Sequence, residues 1–337
     1  MENQTFVNPI LSNGADPWVI RHPDGSYYMM VTLGDRIALW HSPTLSGLGN
    51  VQPKTVWTPE PIGPYSFNLW APELHLIDGR WYIYYTANDG GGDATRRICV
   101  LELAGDDPMN DEWQFKSVVN TEFPGLDGTV IQHQGELYFF YSGYGHFPDY
   151  GSAVYAARMT NPWTLTGPNV LITAPTEPWE KQGGMAINEG PVLLRRNGWI
   201  FLVFSASATW SDDYCLGITR IPETADLLDA NSWIKEDGPV FAKNPSAGVY
   251  APGHNSFTVS PDGSEDWIVY HAYDYSEAEQ PRSAGSPRST RLQKFGWKAN
   301  GMPDFGVPVG TGVPIPRLPE NKGCEINYSF FETNSLI

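Results

Sequence analysis

Basic residues are scarce in this sequence: 21 Lys and Arg stand against 38 Asp and Glu over 337 residues, a formal net charge of −17. Phosphate binding needs clustered cations, so neither nucleic acid nor an anionic membrane is expected as a partner, while a neutral substrate stays compatible. Cysteine is scarcer still. Cys99, Cys215 and Cys324 lie far apart without metal-ligand spacing and read as buried free thiols. No apolar stretch is long enough to span a membrane, and no long segment has helical periodicity. The opening Met1-Glu2-Asn3-Gln4-Thr5 has neither a basic n-region nor an apolar leader. The chain is therefore expected to be cytoplasmic as written, or secreted with a signal segment already removed.

What the sequence has in quantity is aromatics, at 13%, together with 34 Gly and 29 Pro, which suits short strands and tight turns better than a helical bundle. Five segments share one pattern. They begin at Ala15-Asp16-Pro17-Trp18, Trp70-Ala71-Pro72-Glu73, Leu126-Asp127-Gly128-Thr129, Asn188-Glu189-Gly190-Pro191 and Gly253-His254-Asn255-Ser256, and each runs through an apolar stretch to Gly25, Gly79, Gly135, Gly198 or Gly263. Every glycine opens a second aromatic and β-branched run, so each pair reads as a hairpin. Third strands follow at Ile37, Ile98, Ala153, Cys215 and Thr290, with weaker fourth strands near Val56, Phe115, Leu171 and Val240. A unit of three or four strands cannot bury both faces alone, so neighbours must stack. Five units of about 55 to 65 residues predict an all-β fold, a five-bladed β-propeller over residues 1–319, with residues 320–337 as a C-terminal tail.

In a propeller the first strand of each blade lines the central channel, so equivalent first-strand positions converge although far apart in sequence. The shared register predicts that Asp16, Asp127, Glu189 and His254 meet on the axis. A lone Asp before Pro or Glu before Gly-Pro reads better as a turn or loop residue than as a catalytic one; three acids in one register point instead to glycosidic-bond cleavage. That chemistry needs one carboxylic acid to protonate the leaving oxygen and one carboxylate to activate water or attack. A third acid nearby helps keep the proton donor protonated. Glu73 falls about two positions out of register and is expected to be a hydrogen-bonding strut between blades. Trp18 is expected to pack between blades.

Gly14-Ala15-Asp16-Pro17-Trp18, Trp70-Ala71-Pro72-Glu73-Leu74, Leu126-Asp127-Gly128-Thr129, Asn188-Glu189-Gly190-Pro191, Gly253-His254-Asn255-Ser256-Phe257 and Arg288-Ser289-Thr290-Arg291 occur in the order and at the spacing of a known family. The chain resembles glycoside hydrolase family 43 over about residues 8 to 315, and within it the exo-acting α-L-arabinofuranosidases. The resemblance implies an inverting mechanism, with Asp16 as general base, Glu189 as general acid, and Asp127 as the acid that tunes pKa and orients substrate. Inversion calls for carboxyls of Asp16 and Glu189 roughly 6.5–9.5 Å apart. His254 matches a histidine beside a central cation, often Ca²⁺ contacted through water, or else a histidine hydrogen-bonded within the channel. Arg288 matches an active-site arginine. Arg291 is a second candidate for sugar hydroxyls, with a surface salt bridge as its alternative, and Trp70 is a candidate wall of the sugar pocket.

The resulting expectation is release of terminal arabinofuranose from arabinan or arabino-oligosaccharides, with no organic cofactor. A β-xylosidase or bifunctional enzyme, an endo-arabinanase and a non-catalytic glycan-binding propeller remain open at this level.

Overall fold

The computed structural model describes residues 5–317, so the expected tail and Cys324 lie outside the described residues. Five four-stranded antiparallel sheets follow one another along the chain. Blade 1 is built from Ala15–Arg21, Tyr27–Thr32, Ile37–Ser42 and Lys54–Trp57, and blade 2 from Phe67–Ile77, Arg80–Asn88, Arg97–Leu103 and Trp113–Val118. Blade 3 comprises Gly125–His133, Glu136–Gly143, Ala153–Asn161 and Thr164–Thr173. Blade 4 comprises Asn188–Arg196, Trp199–Ala206, Cys215–Pro222 and Ile234–Lys235; blade 5 comprises Tyr250–Val259, Asp266–Tyr273, Ser289–Trp297 and Pro303–Asp304. The first strand of each blade touches that of the next, and blade 5 returns to blade 1. This is the expected five-bladed propeller.

The hairpin signals hold in detail. Asp78-Gly79, Gln134-Gly135 and Asn197-Gly198 each have two consecutive positive φ angles, the requirement of a two-residue turn matched to strand twist. The fourth strand of blade 4 differs from expectation. It is Ile234–Lys235, and Val240 lies beside an isolated bridge between Phe241 and Leu216 instead. Cys99 and Cys215 are buried free thiols in third strands.

Second strands are buried on both faces, which explains apolar runs such as Trp81-Tyr82-Ile83-Tyr84-Tyr85 where an exposed sheet would alternate. The core lies between blades: Tyr138 and Phe140 of blade 3 join Leu193, Leu202 and Phe204 of blade 4 in one cluster. Trp18 is likewise an inter-blade residue. Its indole Nε1 donates to the Leu74 carbonyl at 3.0 Å, and its ring lies 4.9 Å from that of His75. Ring closure uses both ends of the described chain, with Thr5–Val7 paired antiparallel to Pro314–Pro316. Asn8 adds two hydrogen bonds of 2.9 Å to the backbone of Leu292.

One irregularity recurs in all five first strands. Pairing with the second strand breaks between Ala15 and Trp18, Trp70 and Glu73, Leu126 and Thr129, Glu189 and Val192, and Gly253 and Ser256. At each break one residue takes a left-handed backbone: Asp16 (φ 54°), Ala71 (43°), Asp127 (55°), Gly190 (55°) and His254 (45°). Such bulges re-aim side chains and are costly for residues other than glycine, about 1–2 kcal/mol each. The equivalent of Asp16 in blade 4 is therefore Gly190, and Glu189 sits one position earlier, alongside Ala15, Trp70, Leu126 and Gly253. The common register expected for all three acids is corrected here to two adjacent columns.

The bulge turns its own N–H away from the ladder, and the neighbouring blade supplies an acceptor. Ala71 N–H donates to Thr32 Oγ1 (2.7 Å), Asp127 N–H to Thr86 Oγ1 (3.1 Å), His254 N–H to Ser205 Oγ (2.7 Å) and Asp16 N–H to His271 Nδ1 (3.1 Å). Thr32, Thr86, Ser205 and His271 occupy one equivalent second-strand position, opposite the residue that precedes each bulge. The fifth member is Ser142. Its buried Oγ has no partner, because Gly190 N–H donates instead to Asp127 Oδ2 at 3.0 Å.

Unpaired buried N–H groups cost about 1–3 kcal/mol. Thr86→Val, which removes the acceptor while keeping the shape, should lower unfolding free energy by about that amount. Ser142→Ala should cost nothing measurable. Urea titration of the two variants distinguishes a ring of latches from mere packing, since equal losses in both would contradict it.

Candidate active site

The bulge ring brings four of the expected residues together. Asp16 is 7% exposed and Asp127 2%. His254 Nδ1 lies 3.4 Å from Asp16 Oδ1, and Arg288 Nη1 donates to the same oxygen at 2.9 Å. The Thr32 hydroxyl donates to Asp16 Oδ2 at 2.6 Å while accepting the Ala71 N–H, so one latch residue also orients the carboxylate. Asp127 faces Glu189 and Asp16 closely enough for their charges to act on it. Glu189 Oε1 accepts a hydrogen bond from the Tyr214 hydroxyl at 2.8 Å.

Tyr214 reaches Glu189 because blade 5 leaves room. A Cβ on Gly253 would meet the Tyr214 ring at 2.3 Å, so the pre-bulge position that is Glu in blade 4 must be Gly in blade 5. A Cβ on Gly190 would in turn meet the His254 imidazole at 3.3 Å, which places that ring directly against the backbone after Glu189.

The three carboxyls are driven apart in proton affinity. Burial alone would raise Asp16, but Arg288, with His254 and His271, outweighs it and holds the carboxyl well below the ordinary range. Burial pushes both imidazoles toward the neutral form, His271 down to about 3, so the permanent charge of Arg288 carries the effect. Glu189 goes the other way, raised to about 7 by burial and by the Asp16 charge; the Tyr214 hydroxyl, Arg288 and Arg96 oppose the rise. Asp127 is raised well above its ordinary value by burial, then by Glu189 and Asp16, with the Gly190 N–H opposing. Such a set pairs one carboxyl of lowered proton affinity with two of raised affinity, the division that acid–base chemistry requires.

The remaining expectations separate. Trp70 occupies the pre-bulge position of blade 2, with the Arg96 guanidinium 3.8 Å from its ring centroid. Arg291 does not join the acids, nor is it a surface residue. It is fully buried and engages Asp274, Thr311 Oγ1 (2.9 Å) and the Val309 carbonyl (3.4 Å), tying the segment after blade 5 to its third strand. Glu73 is the expected strut: it accepts from Thr129 of blade 3 and lies 2.8 Å from His75 Nε2. Burial pushes Glu73 well up and His75 down to about 3, so it favours the neutral form of each.

Sequence reading missed Thr32, His271, Tyr214 and Arg96. Aligning second strands would have shown Thr32 and His271 in one column with Thr86, Ser142 and Ser205. Tyr214 and Arg96 each stand immediately before a third strand, at the register position that Arg288 holds in blade 5, so aligning third strands would have grouped them.

For a cation, the donor set does not fit direct ligation. Among the described residues no group of three or more His, Cys, Asp or Glu side chains is arranged to hold a metal. His254 offers one nitrogen, whereas Ca²⁺ takes six to eight oxygens.

Residues 6–303 match the profile of Glycosyl hydrolases family 43. The chain is 40% identical over 318 residues to an extracellular exo-α-(1→5)-L-arabinofuranosidase of Streptomyces avermitilis, a match that covers 93% of this chain and 66% of that protein. The protein of the same name from Streptomyces chartreusis is 40% identical over 276 residues, covering 81% of this chain and 84% of that one. Among solved structures, the α-L-arabinofuranosidase of Lactobacillus brevis superposes with a TM-score of 0.86 at 37% identity, covering 91% of this chain and 98% of that chain. The chain thus spans just under two thirds of the first relative's length.

Tyr214→Phe removes a donor that favours the Glu189 anion, so the Glu189 midpoint should rise above about 7. A carboxyl ¹³C titration reads this directly; an unchanged or lower midpoint would mean that the hydroxyl does not stabilise the anion.

Proposed function

The chain belongs to glycosyl hydrolases family 43, and from that premise we propose that it is an inverting exo-α-L-arabinofuranosidase acting on arabinan or arabino-oligosaccharides. The observation that carries the reading is the unequal setting of two carboxyls in one ring: Asp16 is held by the Arg288 guanidinium at 2.9 Å and the Thr32 hydroxyl at 2.6 Å, Glu189 by the neutral Tyr214 hydroxyl at 2.8 Å. The similarity to arabinofuranosidases over most of the chain supports the choice of sugar.

Asp16 is the general base. Its Oδ1 is held by Arg288 and its Oδ2 by Thr32, which fixes the carboxylate while each oxygen retains a lone pair for water. Glu189 is the general acid, protonated up to about pH 7. Water attacks the anomeric carbon as the glycosidic C–O bond breaks; its proton passes to Asp16 and the Glu189 proton to the departing oxygen. Solvent then carries the proton from Asp16 back to Glu189.

Asp127 serves by position as much as by charge. Its Oδ2 holds the Gly190 N–H, the backbone immediately after the acid, and its own proton affinity is coupled to that of Glu189 through their mutual repulsion. His254 and Arg288 complete the sugar-facing ring, with Trp70 as a wall.

Glu189→Gln should abolish arabinose release from arabino-oligosaccharides while leaving the thermal transition in place. In the parent enzyme kcat/KM should fall as pH rises through about 7, because the acid must carry its proton. A comparison of nitrophenyl α-L-arabinofuranoside with nitrophenyl β-D-xyloside tests the sugar. Xyloside turnover equal to or above arabinoside turnover would replace this reading with a xylosidase or a bifunctional enzyme. Glycan binding with no reducing sugar released from either series would make it a binding propeller.

A further inference from the structure

Two loops end on the donors that hold the catalytic carboxyls. Segment 207–214, between the second and third strands of blade 4, ends at Tyr214, whose hydroxyl reaches Glu189. The matching segment of blade 5, 274–288, ends at Arg288, whose guanidinium reaches Asp16. Asp212 stands in the first loop and grips the second. Its Oδ2 accepts from the Ser276 hydroxyl at 2.6 Å, and its Oδ1 accepts from the Glu277 N–H at 2.9 Å and from the Arg282 guanidinium. Its backbone carbonyl accepts the N–H of Ala251, in the first strand of blade 5, at 3.1 Å. Among the described residues, every hydrogen bond that residues 275–287 make to another blade ends on Asp212.

Arg282 carries this grip inward. Its side chain is fully buried, with the guanidinium carbon 4.2 Å from the Tyr273 ring centroid and 5.4 Å from that of Tyr275, and it donates to the Tyr275 carbonyl at 2.9 Å. A buried guanidinium is stable only against its counter-charge, so the carboxylate at 212 fixes where the blade 5 loop sits. Tyr273 and Ala251 pack with Tyr214 in one buried cluster. The Tyr214 ring stacks at 5.6 Å on His271, the imidazole that receives the Asp16 N–H. Arg288 is tied back to the blade 4 loop in turn, its Nη1 donating to Thr209 Oγ1 at 3.3 Å.

We propose that Asp212 is a positioning residue for both catalytic carboxyls, joining the loop that seats Tyr214 on Glu189 to the loop that seats Arg288 on Asp16. The proposal rests on the roles given to those carboxyls above. Asp212 acts through Tyr214 and Arg288, so its effect is read in the titration of the groups they hold. Arg288, His254 and His271 face Asp16; Tyr214, Arg288 and Arg96 face Glu189; Asp127 lies against both. Against the upward push of burial, Arg288 lowers the proton affinity of Asp16, and the Tyr214 hydroxyl with Arg288 lowers that of Glu189. Slackening both loops therefore raises both affinities.

The test uses the full chain and nitrophenyl α-L-arabinofuranoside. Asp212→Asn should lower kcat/KM by about 10- to 100-fold, the scale of a misplaced catalytic group, and should move both limbs of the kcat/KM profile to higher pH. Asp212→Ala combined with Arg282→Met strands no buried charge and should show the same two shifts; it decides the matter if Asp212→Asn fails to fold. Asp213→Asn, next in the loop but paired with Lys243 at 2.7 Å, should leave the rate and both limbs unchanged. Equal shifts in that variant would overturn the proposal. Limbs that stay in place in the Asp212 variants, with only the thermal transition lowered, would also overturn it and leave the enzyme's function standing. No turnover of any arabinoside by the parent enzyme would overturn both.

Discussion

A left-handed residue in each inner strand turns a backbone N–H out of its own sheet, and a side chain on the neighbouring blade has to receive it. Thr32, Thr86, Ser205 and His271 do so for Ala71, Asp127, His254 and Asp16. The same bulge that makes this latch also re-aims the side chain of the residue that carries it, so blade docking and site assembly are one event. At the seam between blades 3 and 4 the pattern changes hands: Asp127, itself a bulge residue, takes the place of Ser142 as acceptor. That substitution sets an acidic group against the backbone that follows Glu189. The channel is thus asymmetric where the chemistry needs it to be.

The electrostatics follow from the same geometry. Three carboxyls crowded into one ring raise one another's proton affinity, and one guanidinium decides which of them is the strongest acid. Arg288 sits on Asp16, not on Glu189, so Asp16 is the carboxylate and the burial of the other two is left to raise them. Thr32 shows how closely fold and chemistry are joined, since its one hydroxyl accepts the blade 2 latch and donates to Asp16. Tyr214 opposes the rise of Glu189 and keeps its proton exchangeable near neutral pH.

Much of this was legible in the sequence. Turn glycines and aromatic second strands marked five blades, and the acids stood out because they recurred near the head of the repeat. The one-residue offset of Glu189 was not legible, because a bulge is a backbone conformation and a count of residues between repeats cannot show on which side of it an acid falls. His271 was hidden for the opposite reason: it replaces a hydroxyl by an imidazole in a column whose role appears only across blades. Arg291 looked equivalent to Arg288 by proximity in sequence, yet Asp274 and Thr311 draw it away from the channel. Arg96 and Tyr214 share with Arg288 the position immediately before the third strand, a column hidden because its residue type changes from blade to blade and it lies where the strand pattern ends.

The configuration of the sugar at the moment of release tests this arrangement most directly. With Asp16 activating water on one side of the scissile bond and Glu189 protonating the other, proton NMR of an early reaction mixture should show β-L-arabinofuranose first, the α anomer growing in only by mutarotation. Release of the α anomer first would mean that a carboxylate attacks the sugar itself and would contradict the assignment of Asp16 as a base acting on water.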